Sequence, residues 1–115
     1  MTFIVFLMLF VFQNSSINWT NGVEHDFETL KQSVKVKHTF VYKNNSDKPL
    51  AIETVRTTCG CTAVDWDETP VLSGQSGEIK IEFDAFRKGE FSKVIKVFFY
   101  KVKKPELLYI YGVVE

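Results

Sequence analysis

The residues best suited to chemistry are the two cysteines of the chain, which one glycine separates in the stretch Cys59-Gly60-Cys61. A thiol in an exported protein is rarely left free, so three states of this pair are open. A turn at Gly60 would let the thiols close a very small disulfide ring, which is expected to be easily reduced. The pair could instead bind a soft cation such as copper or zinc. Alternatively, the thiols are buried small hydrophobic groups at a strand end, with Gly60 present for backbone reasons.

The two histidines, His25 and His38, are the remaining nitrogen ligands. Two sulfurs under-fill a zinc site, so the metal hypothesis needs a further ligand, either a histidine, with His38 as the candidate, or a group from a second molecule. His38 shares a strand face with Phe40 and Tyr42, however, which favours a packed histidine that hydrogen-bonds a neighbour. His25 lies in a predicted edge strand, where a solvated or turn-forming role is the simpler interpretation.

Motifs of known enzyme classes are missing from this sequence. It contains no G-x-S-x-G, no phosphate-binding glycine loop and no H-E-x-x-H, so we predict no catalytic residue, no bound organic cofactor and no enzymatic activity. Asp65 and Asp67 flank Trp66 and could bind a cation as a pair, although surface decoration of a loop is the simpler interpretation. The 14 basic residues balance 14 acidic ones, which argues against nucleic acid and against electrostatic docking to a membrane.

The elements that must position these residues are short strands. Apolar and polar side chains alternate in segments separated by turn residues, and no stretch has the period of an amphipathic helix. This pattern predicts an all-β antiparallel sandwich of about seven strands. The predicted strands are 23–27, 34–43, 50–56, 63–66, 78–84, 93–100 and 107–114. The inward face of 93–100 cannot be assigned from the pattern.

The N-terminal residues 2–12 are almost wholly apolar, and a polar stretch follows them. This segment is too short to span a bilayer but has the length of the apolar region of a secretory signal peptide. We therefore predict a signal peptide over residues 1–16 and one domain over residues 17–115. The mature chain would then carry no membrane span and would be exported to the periplasm, the cell envelope or the extracellular space.

The order of these segments closely resembles the Domain-of-Unknown-Function-1573 family of small exported bacterial proteins, from about His25 to the C-terminus. The most specific element is the cysteine motif, which is matched here by Thr58, Cys59, Gly60, Cys61 and Thr62. An H-x-F element is matched by His38 and Phe40, and a strand-ending asparagine by Asn44. The resemblance implies an immunoglobulin-like β-sandwich but no defined activity.

The sequence departs from the family pattern at three turns. The family usually has glycine where Glu28 stands here, often glycine in place of Asp47, and Pro-Gly in place of Ser73-Gly74. These differences concern loop geometry.

From the strand pattern, the balanced charge and the missing enzyme motifs, we expect a non-enzymatic domain that binds proteins through exposed strand edges. A thiol-based metal or redox site at Cys59 and Cys61 is the alternative.

Overall fold

The structure is a computed structural model that describes residues 16–115. The predicted signal peptide, except for Ser16, lies outside the described residues. Eight strands follow one another in the described part of the chain: β1 (Ile17–Trp19), β2 (Glu24–Leu30), β3 (Lys35–Asn44), β4 (Ile52–Thr57), β5 (Thr62–Trp66), β6 (Ser76–Asp84), β7 (Gly89–Phe99) and β8 (Glu106–Val114).

The strands form two four-stranded sheets, with the orders β1-β3-β6-β5 and β2-β8-β7-β4. Neighbouring strands are antiparallel except for β2 and β8, which pair in parallel. The predicted β-sandwich is confirmed, and the short strand β1 brings the number of strands from about seven to eight. No helix among residues 16–115 is long and apolar enough to cross a membrane.

Side-chain alternation builds the core between the sheets. In β6 the side chains of Ile79, Ile81 and Phe83 are buried, whereas Lys80 between them is exposed. The inward face of β7, which the sequence left unassigned, consists of Ile95, Val97 and Phe99. The buried side chains of the two sheets form one hydrophobic core, and this core fixes the ends of the strands that carry the candidate sites.

Glu28 in β2 adopts a left-handed backbone conformation with φ 63°. It lies where the register of β2 against β8 shifts between Asp26 and Thr29, and its N–H donates to the Asp26 carboxylate at 2.8 Å. Left-handed backbone favours glycine because a Cβ crowds the neighbouring carbonyl oxygen. Glycine would adopt this backbone conformation without strain, which agrees with the glycine that the resemblance leads us to expect here.

Strand β5 is entered by a crossing from one sheet to the other, and it is left by a loop over residues 67–75, called the second crossing below, that reaches toward the other sheet and returns to the same one. The chain passes from β4 in one sheet to β5 in the other over residues 58–61. After β5 it leaves the sheet at Asp67 and reaches the residues before β4, where Val71 and Leu50 exchange hydrogen bonds of 2.7 and 2.9 Å. It then returns to begin β6 at Ser76.

Candidate functional sites at the two ends of strand β5

The first crossing, residues 58–61, is called the cystine corner below. Cys59 and Cys61 are joined there by a disulfide, and their Cα atoms are 5.2 Å apart. The Cys59 carbonyl accepts the Thr57 hydroxyl at 3.2 Å and the Thr62 N–H at 3.3 Å. The Cys61 carbonyl accepts the Asp84 N–H of β6 at 2.8 Å. These bonds hold both cysteine carbonyls within the fold.

The motif residues around the disulfide differ in their surroundings. Thr62 begins β5 and is buried, whereas Thr58 and Gly60 are exposed. A Cβ built on Gly60 would meet no heavy atom within 4 Å, and Gly60 is not among the residues with positive φ. Neither crowding nor left-handed backbone therefore explains this glycine.

Charged side chains with a small excess of basic groups lie beside the disulfide, and the cysteine motif gave no sign of them. A pocket of about 190 Å³ lies beside the two cysteines, and its charged lining consists of three cations and two carboxylates: Arg87, Lys88, Lys93, Asp84 and Glu90. The three cations are remote in sequence, since they lie in the β6–β7 turn and in β7, so only the fold brings them to the corner. A thiolate formed here by reduction would be stabilised by the nearby positive charge.

His38 lies away from the cystine corner, because β6 separates its strand β3 from β5. Its ring stacks on His25 with centroids 3.7 Å apart and meets Phe40 edge to face. Burial and, to a smaller degree, the His25 charge lower the pKa of His38. Its Nε2 is buried without a hydrogen-bond partner, so the expected hydrogen bond to a neighbour is not formed at this atom.

The structure does not bring His38 to the cysteines. Within residues 16–115, no group of three or more His, Cys, Asp or Glu side chains is placed to hold a metal ion. His25 is half-buried against His38 rather than fully solvated. Phe40 is buried in the core beside this histidine pair.

Asn44, the strand-ending asparagine of the family motif, organises the turns at the other end of the sheet. It is fully buried, and its Nδ2 donates to the carbonyls of Lys48 at 2.7 Å and Val71 at 2.9 Å. Its Oδ1 accepts the Ser46 N–H at 2.9 Å and the Ser46 hydroxyl at 2.6 Å. Asn44 is therefore a structural residue that ties the 45–49 turn to the second crossing.

A cleft of about 600 Å³ lies at the far end of β5, where the chain leaves the sheet, and is called the Trp66 cleft. The sequence analysis noted Asp65 and Asp67 but did not expect a cleft. Its lining is formed by residues from β3, β5, the second crossing and β6: Val41, Tyr42, Asp65, Trp66, Asp67, Thr69, Pro70, Val71, Gln75, Ser76, Gly77, Glu78 and Lys80.

Tyr42 and Gly77 are adjacent on β3 and β6 and shape the cleft wall together. A Cβ on Gly77 would lie only 2.5 Å from the Tyr42 hydroxyl oxygen, so the tyrosine ring crosses β6 in the space that this glycine leaves open. Burial, and secondarily the Asp67 carboxylate, raise the pKa of Tyr42 to about 12. The phenol therefore stays protonated and remains a donor at physiological pH.

The chain belongs to a family described as a protein of unknown function (DUF1573), whose model matches residues 17–114. The expected family is thus confirmed over nearly all of the described residues. No curated protein matches the sequence significantly.

Three solved structures are similar to this chain in fold. A protein of unknown function from Porphyromonas gingivalis W83 has a TM-score of 0.69 at 16% identity, over 84% of this chain and 44% of that one. The VesB protease of Vibrio cholerae has a TM-score of 0.67 at 14% identity, over 85% of this chain and 31% of that one. The ASH/PapD-like domain 7 of human CEP192 has a TM-score of 0.73 at 8% identity, over 100% of this chain and 96% of that domain.

These likenesses establish the fold alone, because every identity is low. The chain spans less than half the length of the first two of these proteins. The shared part is an immunoglobulin-like or PapD-like sandwich, which occurs in proteins of different function.

Proposed function

We propose that this chain is an exported, non-enzymatic immunoglobulin-like domain that binds other polypeptides along an open edge of its first sheet. The carrying observation is that β5 is the last strand of that sheet and, among residues 16–115, no strand pairs with its outer side. Unpaired N–H and C=O groups on an edge strand are a template for a strand from another chain.

The free main-chain groups of β5 can be identified from the hydrogen bonds at its start. The bond from Asp84 N–H to the Cys61 carbonyl places the Cys61 main chain toward β6. Since direction alternates along a strand, the main-chain groups of Val64 and Trp66 point outward. These two residues offer donors and acceptors to an incoming strand.

Export is part of the proposal and is supported by two features. The apolar residues 2–12 have the length of a signal-peptide core. The disulfide at the cystine corner suits an oxidising compartment such as the periplasm or the outside of the cell.

Photo-crosslinking in the native host tests the proposed binding edge. A photoreactive residue would replace the exposed Ala63 of β5, and Lys96, exposed on the interior strand β7, would be the matched control. We expect a discrete adduct of one mass from position 63 and none from position 96. Absence of an adduct from position 63, or the same adducts from both positions, contradicts the proposal.

A second candidate function, thiol–disulfide exchange, is favoured by the three cations beside the disulfide. An incoming thiolate would attack one sulfur and form a mixed disulfide, while the other sulfur leaves as a thiolate near Arg87, Lys88 and Lys93. We expect the native protein to resist alkylation until a mild reductant is added. Alkylation without reductant, or resistance to a strong reductant in the folded state, contradicts this candidate. Copper and zinc content of the same sample tests the metal alternative.

A further inference from the structure

Strand β6 extends beyond the end of its neighbour β5. The last β5–β6 pair is Trp66 with Ile79, whereas the β3–β6 ladder continues to the pair Lys43 with Ser76. Residues 76–78 therefore have β3 on one side and, within the described chain, no strand on the other. This notch in the sheet forms the floor of the Trp66 cleft.

The direction of the main-chain groups in the notch follows from hydrogen bonds at the other end of β6. Ala85 N–H donates to Val34 of the segment leading into β3, and Asp84 N–H donates to Cys61 on the β5 side. Odd-numbered residues of β6 thus pair toward β3 and even-numbered ones toward β5. The N–H and C=O groups of Ser76 and Glu78 consequently point into the notch.

Two side-chain donors also lie at this notch, and that of Trp66 is buried. The indole Nε1 of Trp66 is buried and has no hydrogen-bond partner. Tyr42 is only 2% exposed, and among residues 16–115 no group accepts a hydrogen bond from its hydroxyl, which crosses Gly77 toward the cleft. A buried donor without an acceptor is uncommon in folded proteins, so the Trp66 indole, with the Tyr42 hydroxyl beside it, is suited to donate a hydrogen bond to a carbonyl group of a guest.

The charge around the notch is predominantly acidic. Asp65, Asp67 and Glu78 line the Trp66 cleft, and Lys80 is the basic side chain in that lining. Asp67 is held in place by the Thr69 N–H, which donates to its Oδ1 at 2.9 Å, and this bond lowers the pKa of the carboxyl group. The carboxylates favour a cationic group on whatever occupies the cleft.

We propose that the Trp66 cleft binds an extended peptide segment with a central basic side chain, which continues the line of β5 beside residues 76–78 of β6. The guest's main chain pairs with Ser76 and Glu78, and its basic side chain meets the acidic rim. This inference rests on the proposed protein-binding function and names the site and the chemistry of the partner.

Titration with two synthetic peptides tests the site on the full mature domain labelled with ¹⁵N. One probe is acetyl-Thr-Val-Lys-Val-Thr-amide, and the other has Glu in place of Lys. We expect the lysine peptide to shift the amide signals of Ser76 and Glu78 and the indole signal of Trp66. These shifts should reach a plateau as the peptide concentration rises. The glutamate peptide should bind about fivefold more weakly, because its charge matches the rim.

A charge-reversal pair of variants provides the matched control. Glu78→Lys, at the rim, should weaken binding of the lysine peptide about fivefold, while Glu53→Lys, exposed on β4 in the other sheet, should leave it unchanged. Amide spectra of the free variants confirm that each is folded. Equal responses to both peptides, or equal effects of both variants, overturn the proposal.

The outcomes separate this site from the general function. If neither peptide shifts the Ser76 and Glu78 signals at millimolar concentration, the proposed site is wrong, whatever the crosslinking shows. If crosslinking at position 63 succeeds while the peptides shift only the Val64 side of β5, the protein-binding function stands and the Trp66 cleft is excluded. If the peptides bind as expected but position 63 gives no adduct, the cleft stands as a peptide site and the edge of β5 is excluded.

Discussion

The two ends of β5 are built in opposite ways. At its start, the cystine corner closes on itself: a disulfide joins Cys59 to Cys61, and both cysteine carbonyls accept hydrogen bonds from the chain. At its end, β6 extends beyond β5. There the Trp66 indole N–H and the Tyr42 hydroxyl have no hydrogen-bond acceptor within residues 16–115. A short strand can thus be fixed in place at one end, while at its other end the neighbouring strand β6 is left without a pairing strand on that side.

This difference shows where binding can occur without weakening the fold. The cystine corner has a small excess of basic side chains and satisfied cysteine carbonyls, so chemistry there must act on the sulfurs. The Trp66 cleft has acidic surroundings and unpaired main-chain groups, so it suits a peptide. The following variants test whether the two ends are independent, from the largest expected effect to the smallest.

Asn44→Ala should have the largest effect, because Asn44 ties the wall of the Trp66 cleft to the neighbouring turn. The substitution removes four side-chain hydrogen bonds at a fully buried position, to Lys48, Val71 and Ser46. We expect a loss of about 3 kcal/mol in the free energy of unfolding, measured by urea denaturation. A loss below about 1 kcal/mol would show that these bonds contribute little to the open end.

Gly77→Ala should have the next largest effect, and Gly60→Ala is its matched control at the other end of β5. The new Cβ at position 77 would lie 2.5 Å from the Tyr42 hydroxyl, whereas at position 60 it would meet nothing within 4 Å. Overpacking of the buried tyrosine should cost about 2 kcal/mol, and Gly60→Ala should stay within about 0.5 kcal/mol. Equal changes in denaturation midpoint for the two variants would contradict this contrast.

Replacement of Cys59 and Cys61 by alanine should have a smaller effect than either change at the open end. The disulfide closes a loop of adjacent residues, so the chain-entropy relation limits its contribution to about 1.5 kcal/mol. Thermal melts of the double variant and of the reduced native protein measure it. A loss as large as that of Asn44→Ala would mean that the corner also supports the core.

The sequence predicted the cystine corner at the start of β5 (the closed end) better than the Trp66 cleft at its end (the open end). Cys59, Gly60 and Cys61 are adjacent and rare in type, so the motif located the corner, and alternation located the sheets that it joins. The cations beside the disulfide were missed because Arg87 and Lys93 are far away in sequence. Even so, the predicted strand 93–100 is close to the observed β7, which carries Lys93.

The open end depends on a difference in strand length that no local pattern encodes. The sequence predicted strands 63–66 and 78–84, and β6 begins two residues earlier than predicted, at Ser76. Those residues are serine and glycine within a turn-like stretch, and they extend because β3 pairs with them through Tyr42 and Lys43. Tertiary pairing here overrides local propensity, so the notch becomes visible only in the structure.

Glu28→Gly should give the smallest effect and the only gain, and it tests whether changes at the two ends of β5 are local. Glu28 lies in β2 of the other sheet with φ 63°, where glycine relieves the strain of left-handed backbone. We expect a stabilisation of about 1 kcal/mol. Because Glu28 shares no contact described above with Asn44 or Gly77, the gain should add to either loss within about 0.5 kcal/mol. A double variant that departs further from additivity would show that the open end of β5 is coupled to β2 through the core, and that the two ends are not independent.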